Sequence, residues 1–500
     1  MLRLVPLVVL AGLFGSCPSE ELNPGDGGKS FWAMNLENNE PYTLTADLLA
    51  EGAHCKVWVE KAAQGRLPPA TAAYIAGKYD NHIYGIMTGA FDIGPFKVQN
   101  IEFKSIMEFA DRLTDGDGKL TILMLDIQDG YTEKSGSYTA GYFYQADFFN
   151  KNIYHNSNET DMIYIDTYPT EPAGDDAMGT LAHEMQHLMN FATTLVLRRT
   201  DTKINQMDVW VDEGLSSAAE YVYKGAHVAQ RYEWFNDDKQ KTIARGNNFF
   251  VWGNLQGASI LDDYATVYLF FQWLRIHSGD GAGIYREIIA SEYSDYRAVI
   301  AAAKNNISWF NEGSSCKWKD IFEPWLAANY INAESGKYGY NNDPTLKDVK
   351  AKTAPAGTTS LQLLPGEAVY SRTSTGGTIS DYASGSGTNI TYAGLKKDGT
   401  VSSSYTYSGG ALLTYNVSTS GNVKETGKLT GVAEEAASQT GVLLSRSPGI
   451  AGPESAVQID ARDMLARNGH TDWAEMFNGV EIFGKTAAAG SALTGAAGIR

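Results

Sequence analysis

The segment His183-Glu184-Met185-Gln186-His187 contains the residues best suited to chemistry. On a helix, its two histidines lie one turn apart on the same face, so both imidazoles can bind one zinc ion. Glu184 points to the same site and can act as a base. The pattern predicts a hydrolytic zinc site, against the alternative of a helix that merely carries two polar histidines. An apolar stripe predicts the helix itself: Leu181, Met185, Leu188 and Met189.

A tetrahedral catalytic zinc takes three protein ligands and leaves one position for water, so the two histidines need a third partner. No histidine stands six residues after His187, where the sequence has Thr193. Residues 210–216 offer Glu213, followed by small residues that would let its helix pack closely on the first. Glu213 is the predicted third ligand. The alternative is a first-turn glutamate favoured by the helix dipole.

Other downstream carboxylates leave alternatives open. Asp212 is an alternative third ligand. Glu220 faces the same side as Glu213, two turns further along the helix. It either accepts a hydrogen bond from one of the two histidines or is simply solvated. The carboxylates considered beside Glu213 are Asp201, Asp208, Asp212 and Glu220.

These segments resemble gluzincin metalloproteases, most closely the hyicolysin-type family of secreted bacterial proteases. The likeness covers about residues 118–335 and includes 123–126, 141–143, 164–166, 263–264 and 268–270. The resemblance implies zinc as cofactor, with His183, His187 and Glu213 as ligands. It also implies Glu184 as the base and protein or peptide substrates. The two runs that carry it are His183-Glu184-Met185-Gln186-His187 and Trp210-Val211-Asp212-Glu213-Gly214-Leu215-Ser216.

Hydrolysis of a peptide bond at such a site needs a base and a donor. Glu184 would take a proton from water and pass it to the leaving amine. The carbonyl oxygen, as it gains charge, needs a hydrogen-bond donor besides zinc. In aminopeptidase-type gluzincins a tyrosine at the start of the helix after the ligand helix does this, and Tyr264 is similarly placed. Tyr268 and His277 are weaker options, and the alternative is that Tyr264 only packs within a helical stripe.

The composition is that of a globular protein with a sizeable core: of 500 residues, 43% are hydrophobic and 20% are charged. The net charge of -18 argues against binding to nucleic acid, because the phosphates would be repelled. It also argues against a basic membrane-binding surface. The zinc motif, the family resemblance and the N-terminal sequence described next lead us to expect an exported zinc endopeptidase. The alternatives are a surface binding protein or adhesin on a protease-like scaffold, and an aminopeptidase.

The N-terminus predicts an export signal. Arg3 precedes a short apolar run over residues 4–15, too short to span a membrane. Gly15 and Ser16 then precede Cys17, as in a bacterial lipoprotein signal. A lipid on Cys17 is therefore the expected means of membrane attachment. The predicted location is the bacterial cell envelope, as a lipoprotein, or outside the cell.

The alternation of strand-like and helical segments predicts an α+β fold. We expect a zincin-like metalloprotease domain, with a mixed sheet and a helical active-site part, followed by a β-rich C-terminal domain. The predicted divisions are signal peptide 1–16, tether 17–30, N-terminal α/β part 31–170, helical zinc-binding part 171–347, linker 348–359, β-rich domain 360–485 and tail 486–500.

Individual elements follow from the same patterns. Strands are predicted over 56–60, 120–126, 140–149, 162–166 and 411–417. Helices are predicted over 71–87, 98–113, 175–193, 208–223, 262–277, 284–293 and 318–332, the third capped by Asp175 or Asp176.

Two features outside the zinc motif remain. Cys55 and Cys316 could form a disulfide in an exported protein. The run 115–118, Asp-Gly-Asp-Gly, faintly resembles a calcium loop, but the rest of an EF-hand pattern is missing. The run therefore predicts a turn before a strand.

Overall fold

The computed structural model describes residues 28–430 and 449–450, without 134–136, 201–202, 247–249, 253–259, 314, 373–375, 406–409 and 422. The predicted signal peptide, Cys17 and the tail 486–500 lie outside the described residues. So do nearly all of the tether and most of the region from 431 to 485.

The described helices begin and end as follows: α1 Pro69–Lys78, α2 Tyr84–Phe91, α3 Ile106–Leu113, α4 Asp175–Leu197, α5 Val209–Lys224, α6 Ala229–Asp237, α7 Ile260–His277, α8 Gly283–Ile289, α9 Tyr296–Asn306, α10 Ser308–Gly313, α11 Trp318–Ile331 and α12 Ser380–Ala383. The described strands are β1 Lys29–Asn35, β2 Glu40–Glu51, β3 Cys55–Glu60, β4 Phe96–Val98, β5 Ile101–Phe103, β6 Leu120–Leu125, β7 Ser137–Tyr138, β8 Gly141–Tyr142, β9 Met162–Asp166, β10 Ser360–Leu363, β11 Ala368–Ser371, β12 Gly377–Thr378, β13 Ile390–Lys396, β14 Val401–Ser402, β15 Ser404–Tyr405, β16 Gly410–Asn416, β17 Glu425–Lys428 and β18 Gly449–Ile450.

A mixed six-stranded sheet with the order β1-β2-β3-β6-β9-β8 forms the N-terminal part. β3, β6 and β9 run parallel, whereas β1, β2 and β8 join antiparallel to their neighbours. All six side chains of β6 and all five of β9 are buried. Such continuous apolar runs are expected of parallel strands covered on both faces. The predicted strands 56–60, 120–126 and 162–166 are thereby confirmed.

Two predicted elements are wrong in part. The run 98–113 is helical only in α3, because its first residues form the β4–β5 hairpin. The run 140–149 contains only the short β8, followed by a 3₁₀ turn over Gln145–Phe148. Its aromatic residues suggest a strand, but Phe148 and Phe149 pack on Phe191 of α4 instead.

The helical part is built around α4, α5 and α7. α4 begins after Gly174 rather than after a capping aspartate, and its N-cap makes no side-chain hydrogen bond. Asp176 pairs with Lys224 at the end of α5, with 2.7 Å between Oδ1 and Nζ, which ties the start of α4 to α5. α5 follows Asp208 and ends at Lys224, and the next residue, Gly225, has a φ of 60° that suits glycine.

The C-terminal β-rich region packs directly on the helical part. Its four-stranded sheet has the order β11-β16-β13-β14. From this sheet, the Tyr370 hydroxyl donates to the carbonyl of Leu326 in α11 at 2.7 Å. In residues 348–359, predicted as a linker, Val349, Ala351 and Ala354 are buried. The run is therefore packed against the fold, and the division into domains stays a prediction.

Other sequence features are also resolved. Cys55 is buried and Cys316 half-buried, and the two are not joined, so the predicted disulfide between them is wrong. None of the described helices is long and apolar enough to cross a bilayer. Residues 115–118 form the turn before β6, as predicted. The turn brings Asp111, Asp115 and Asp161 together, each accepting a hydrogen bond, from Gly118, Thr160 and Thr114 respectively.

Candidate metal centre

α4 and α5 bring three potential ligands to one point. His183 and His187 come from one face of α4, and Glu213 comes from the first turns of α5. Glu213 Oε2 lies 3.4 Å from His183 Nε2 and 3.6 Å from His187 Nε2. One ligand atom from each residue lies within 4.8 Å of the other two. The two histidines and Glu213 predicted as ligands therefore share a site.

The other ring nitrogen of each histidine faces a carboxylate on α5. His183 Nδ1 is 3.0 Å from Glu220 Oε1, and His187 Nδ1 is 3.0 Å from Asp212 Oδ2. A carboxylate that accepts from Nδ1–H fixes the ring and leaves Nε2 as the electron-pair donor. Both Nε2 atoms are thus directed at the shared point.

The donor set fits a zinc ion. His183 Nε2 is buried, and no described residue forms a well-aligned hydrogen bond with it, which would be costly for a nitrogen with no other purpose. Two imidazoles and one carboxylate make a three-ligand set of the catalytic zinc type. His187 keeps part of its surface exposed, so the site is not sealed.

The charges of the site act on one another. Burial opposes the charged form of His183, but the nearby carboxylates of Glu213 and Glu220 raise its pKa to about 9. Burial would raise the pKa of Glu213, yet the two histidines hold it well below its usual range. For Glu220, burial is outweighed by Arg231 and His183, and its pKa falls to about 2. Glu213 and Glu220 are therefore ionised at neutral pH, and their negative charges can balance that of a bound cation.

Glu184 lies in the same pocket, beside an edge of the sheet. Its side chain is 2% exposed, and burial raises its pKa to about 6, against the opposing effect of the two histidines. β8 passes very close to it. A Cβ on Gly141 would stand 3.2 Å from Glu184 Cγ and 2.7 Å from Thr180 Cγ2, so only glycine fits there.

Tyr264 also borders the site. Its ring centroid is 6.3 Å from that of His183, and the side chain is fully buried. Burial, reinforced by the charges of Glu213 and Glu184, raises the pKa of its hydroxyl well above the usual value. No described residue forms a well-aligned hydrogen bond with that hydroxyl. The phenol therefore keeps its proton near neutral pH and has it available for another acceptor.

The alternatives for these roles have other partners. The Tyr268 hydroxyl contacts His227 Nδ1 at 2.9 Å and accepts from Val228 N at 3.0 Å. His277 Nε2 lies 3.0 Å from the carbonyl of Gly339. Asp208 is the N-cap residue of α5, although its side chain makes no capping hydrogen bond, and Asp201 lies outside the described residues. None of these is in the group that brings His183 and Glu213 together.

Of the two options for Glu220, the structure confirms the contact with a histidine, His183, and not the solvated side chain. Sequence reasoning missed the other supports behind the two histidines. Asp212 contacts His187 from behind, at Nδ1, and is not in the group formed by His183, His187 and Glu213. Asn190 donates to the other oxygen of Asp212, and Arg231 pairs with Glu220. Asp212 could have been found from its place one residue before Glu213. Nothing in the local sequence marks Asn190 or Arg231.

Gly214→Ala is expected to destabilise the site, because α5 and α7 touch at this glycine. An added Cβ would stand 2.2 Å from Cε2 of the buried Phe271. We expect a loss of about 1–3 kcal/mol in the free energy of unfolding, as for other overpacked cores. Zinc affinity should fall with it, since the neighbouring Glu213 must move. Urea unfolding of the metal-free protein and a zinc titration measure both effects.

Gly85→Ala is the matched control for this substitution. Gly85 lies in α2, and a Cβ there meets nothing within 4 Å. Alanine should leave the stability unchanged or raise it by up to about 1 kcal/mol. If Gly214→Ala proves as stable as Gly85→Ala, the close approach of α5 and α7 is not required.

Comparison with known proteins yields one relative. No protein-family model matches the chain. The chain is similar to the neutral metalloprotease ShpI of Staphylococcus hyicus, with 29% identity over 330 residues, which is 65% of this chain and 67% of that protein. The resemblance inferred from the motif segments is thereby confirmed, and the chain is a relative of a bacterial neutral metalloprotease.

Proposed function

We propose that this protein is an exported, zinc-dependent endopeptidase. The observation that carries the proposal is the convergence of His183 Nε2, His187 Nε2 and Glu213 Oε2 on one point beside Glu184. The relationship to a metalloprotease supports the same reaction class. For export, the support is the N-terminal sequence, in which a short apolar run precedes Cys17.

In this proposal, His183, His187 and Glu213 hold the zinc ion. Zinc would supply Lewis-acid polarisation of the scissile carbonyl and of the attacking water. Glu220 and Asp212 keep the two imidazoles oriented through their Nδ1 atoms. Three protein ligands would leave one position of a tetrahedral zinc for water, as hydrolysis requires.

Glu184 acts as the general base. With its pKa raised to about 6, the carboxylate is ionised at neutral pH and can accept a proton. It takes one proton from the attacking water as the bond between water oxygen and carbonyl carbon forms. It then gives that proton to the amide nitrogen as the carbon–nitrogen bond breaks. The products are a carboxylic acid and an amine, and Glu184 returns to its starting state.

Tyr264 is the proposed hydrogen-bond donor to the carbonyl oxygen as charge develops there. Its raised pKa keeps the phenol protonated, and no described residue forms a well-aligned hydrogen bond with its hydroxyl, which lies near the carboxylate of Glu213. A hydrogen-bond donor that is held in place and shielded from water stabilises the developing charge more than a donor that must first give up hydrogen bonds to water.

An extended peptide suits the neighbourhood of Glu184. β8 is an edge strand of the described six-stranded sheet, hydrogen-bonded there to β9 alone. A peptide can add to such an edge by backbone hydrogen bonds, independently of its termini. Since Gly141 of β8 lies against Glu184, the peptide backbone would pass the base. This favours internal cleavage over removal of terminal residues.

Metal removal and return provide the test. The protein is dialysed against a chelator, then given one equivalent of zinc, and incubated with casein and a peptide library. We expect cleavage to vanish with the metal and to return with zinc, and mass spectrometry should show internal cuts. Removal of single terminal residues would favour an aminopeptidase. A zinc-loaded protein that cleaves neither substrate would point to a binding protein and overturn the proposal.

A further inference from the structure

Arg231, on α6, is a buried cation behind the metal centre. It is 3% exposed, and its Nη2 lies 2.8 Å from Glu220 Oε1. That same oxygen is 3.0 Å from His183 Nδ1. One carboxylate oxygen therefore receives hydrogen bonds from the arginine and from the histidine. Burying an arginine is costly unless its charge is paired, and Glu220 provides the pairing.

The same guanidinium also packs on Tyr264. Its central carbon lies 4.5 Å from the centroid of the phenol ring. A cation over an aromatic face holds the ring by electrostatic attraction, more strongly when water is excluded. The planar guanidinium can pair with a carboxylate through its edge and stack through its face at once, which lysine cannot do. An arginine that only neutralised Glu220 would not need this second contact.

We propose that Arg231 is a positioning residue that couples zinc binding to the orientation of Tyr264. Through Glu220 it holds the ring of His183, and through its face it holds the phenol. This inference rests on the proposed function for the roles of His183 and Tyr264. Loss of Arg231 should therefore weaken zinc binding and, separately, slow the reaction at saturating zinc.

The support behind His187 offers a matched comparison. There, Asp212 is held by Asn190, and Arg198 Nη2 lies 2.9 Å from Asn190 Oδ1. Arg198 Nη1 donates to the carbonyls of Ile289 and Ser291. Arg198 is buried as deeply as Arg231, but it hydrogen-bonds to Asn190, Thr194 and two backbone carbonyls, whereas Arg231 stacks on a phenol. Both arginines should affect zinc affinity, whereas only Arg231 should be coupled to Tyr264.

The experiment compares Arg231→Met, Arg231→Lys and Arg198→Lys, each alone and combined with Tyr264→Phe. Zinc affinity is measured by competition with a chromogenic chelator, and kcat and KM at saturating zinc with an internally quenched peptide. For Arg231→Met we expect a 10- to 100-fold rise in the zinc Kd, typical of a lost partner behind a ligand. At saturating zinc, kcat should fall by roughly tenfold or more, with little change in KM. Arg231→Lys should keep part of the zinc affinity but not restore kcat.

The double variants decide between coupling and general damage. With Tyr264→Phe the hydroxyl is already gone, so losing Arg231 should cost much less in kcat than it does in the wild type. The zinc effect should persist, because it acts through Glu220. In the double variant of Arg198→Lys with Tyr264→Phe, the fold-changes in kcat of the two single variants should multiply, as for independent sites. If Arg231→Met does not fold, the cycle is taken from Arg231→Lys.

Each outcome bears on a separate claim. Unchanged zinc Kd and kcat in folded Arg231 variants would overturn the inference, as would kcat effects that multiply in the Arg231 and Tyr264 pair. A wild type that binds zinc without cleaving peptides would overturn the proposed function alone. The zinc Kd of the Arg231 variants would then still decide whether the arginine supports His183.

Discussion

Glu184→Gln is expected to abolish measurable peptide cleavage while leaving zinc bound. Glutamine keeps the shape of the side chain but cannot accept a proton, so kcat/KM should fall by roughly 10²- to 10⁴-fold. Glu184 is not one of the three proposed ligands, His183, His187 and Glu213, so the zinc Kd should change little. Peptide hydrolysis is followed by fluorescence and zinc by atomic emission on the same samples.

Glu102→Gln is the control for this substitution. Glu102 is an exposed glutamate of β5 that pairs with Lys97, and such pairs contribute little to stability. Its activity should equal that of the wild type. A Glu184→Gln protein that retains zinc and cleaves peptides at the wild-type rate would remove Glu184 from the role of base.

Glu213→Gln is expected to lose zinc and, with it, both cleavage and metal-dependent stability. The buried carboxylate supplies the only negative charge among the three ligands, and an amide cannot replace that charge. In the wild type, free zinc at 1,000 times its Kd should stabilise the fold by about 4 kcal/mol. Urea unfolding at the same zinc concentration should show no such gain for Glu213→Gln.

Glu220→Gln is the appropriate comparison, because Glu220 stands behind His183 and binds no metal directly. Its zinc affinity should fall by roughly 10- to 100-fold, so higher zinc concentrations should recover the stability and part of the activity. If Glu213→Gln also recovers at higher zinc, its role would be no greater than that of Glu220. Asp212 would then be the remaining candidate for the third ligand.

The centre of the site could be predicted because His183, Glu184 and His187 all lie on one helix, α4. The spacing of His183 and His187 fixes their common face once α4 forms. Glu213 required a second motif, read beside the first. Arg231 and Asn190 act through contacts between helices, and nothing in their own segments marks them. The position of Asp212 behind His187 depends on the angle at which α5 crosses α4, which spacing does not determine.

The fold was predictable where one pattern dominates a segment. β6 and β9 are fully buried, mainly apolar runs between turn residues, and both lie inside the sheet rather than at its edges. The β4–β5 hairpin was missed because its turn has no recognisable sequence. Gln99 adopts a positive φ of 55° there, where glycine or asparagine would be expected. β1 and β2 were missed as well. β2 pairs with β3 and β1 pairs with β2, so both strands extend the sheet beyond the predicted β3.

X-ray absorption at the zinc edge, on the purified wild-type protein, tests the central claim most directly. We predict one zinc ion per chain, with two imidazole nitrogens and carboxylate oxygen at about 2.0–2.2 Å. Glu213→Gln should remove that spectrum and Glu184→Gln should leave it unchanged. A well-folded wild-type protein that binds no zinc, or that binds it through sulfur at about 2.3 Å, would contradict the assignment of His183, His187 and Glu213.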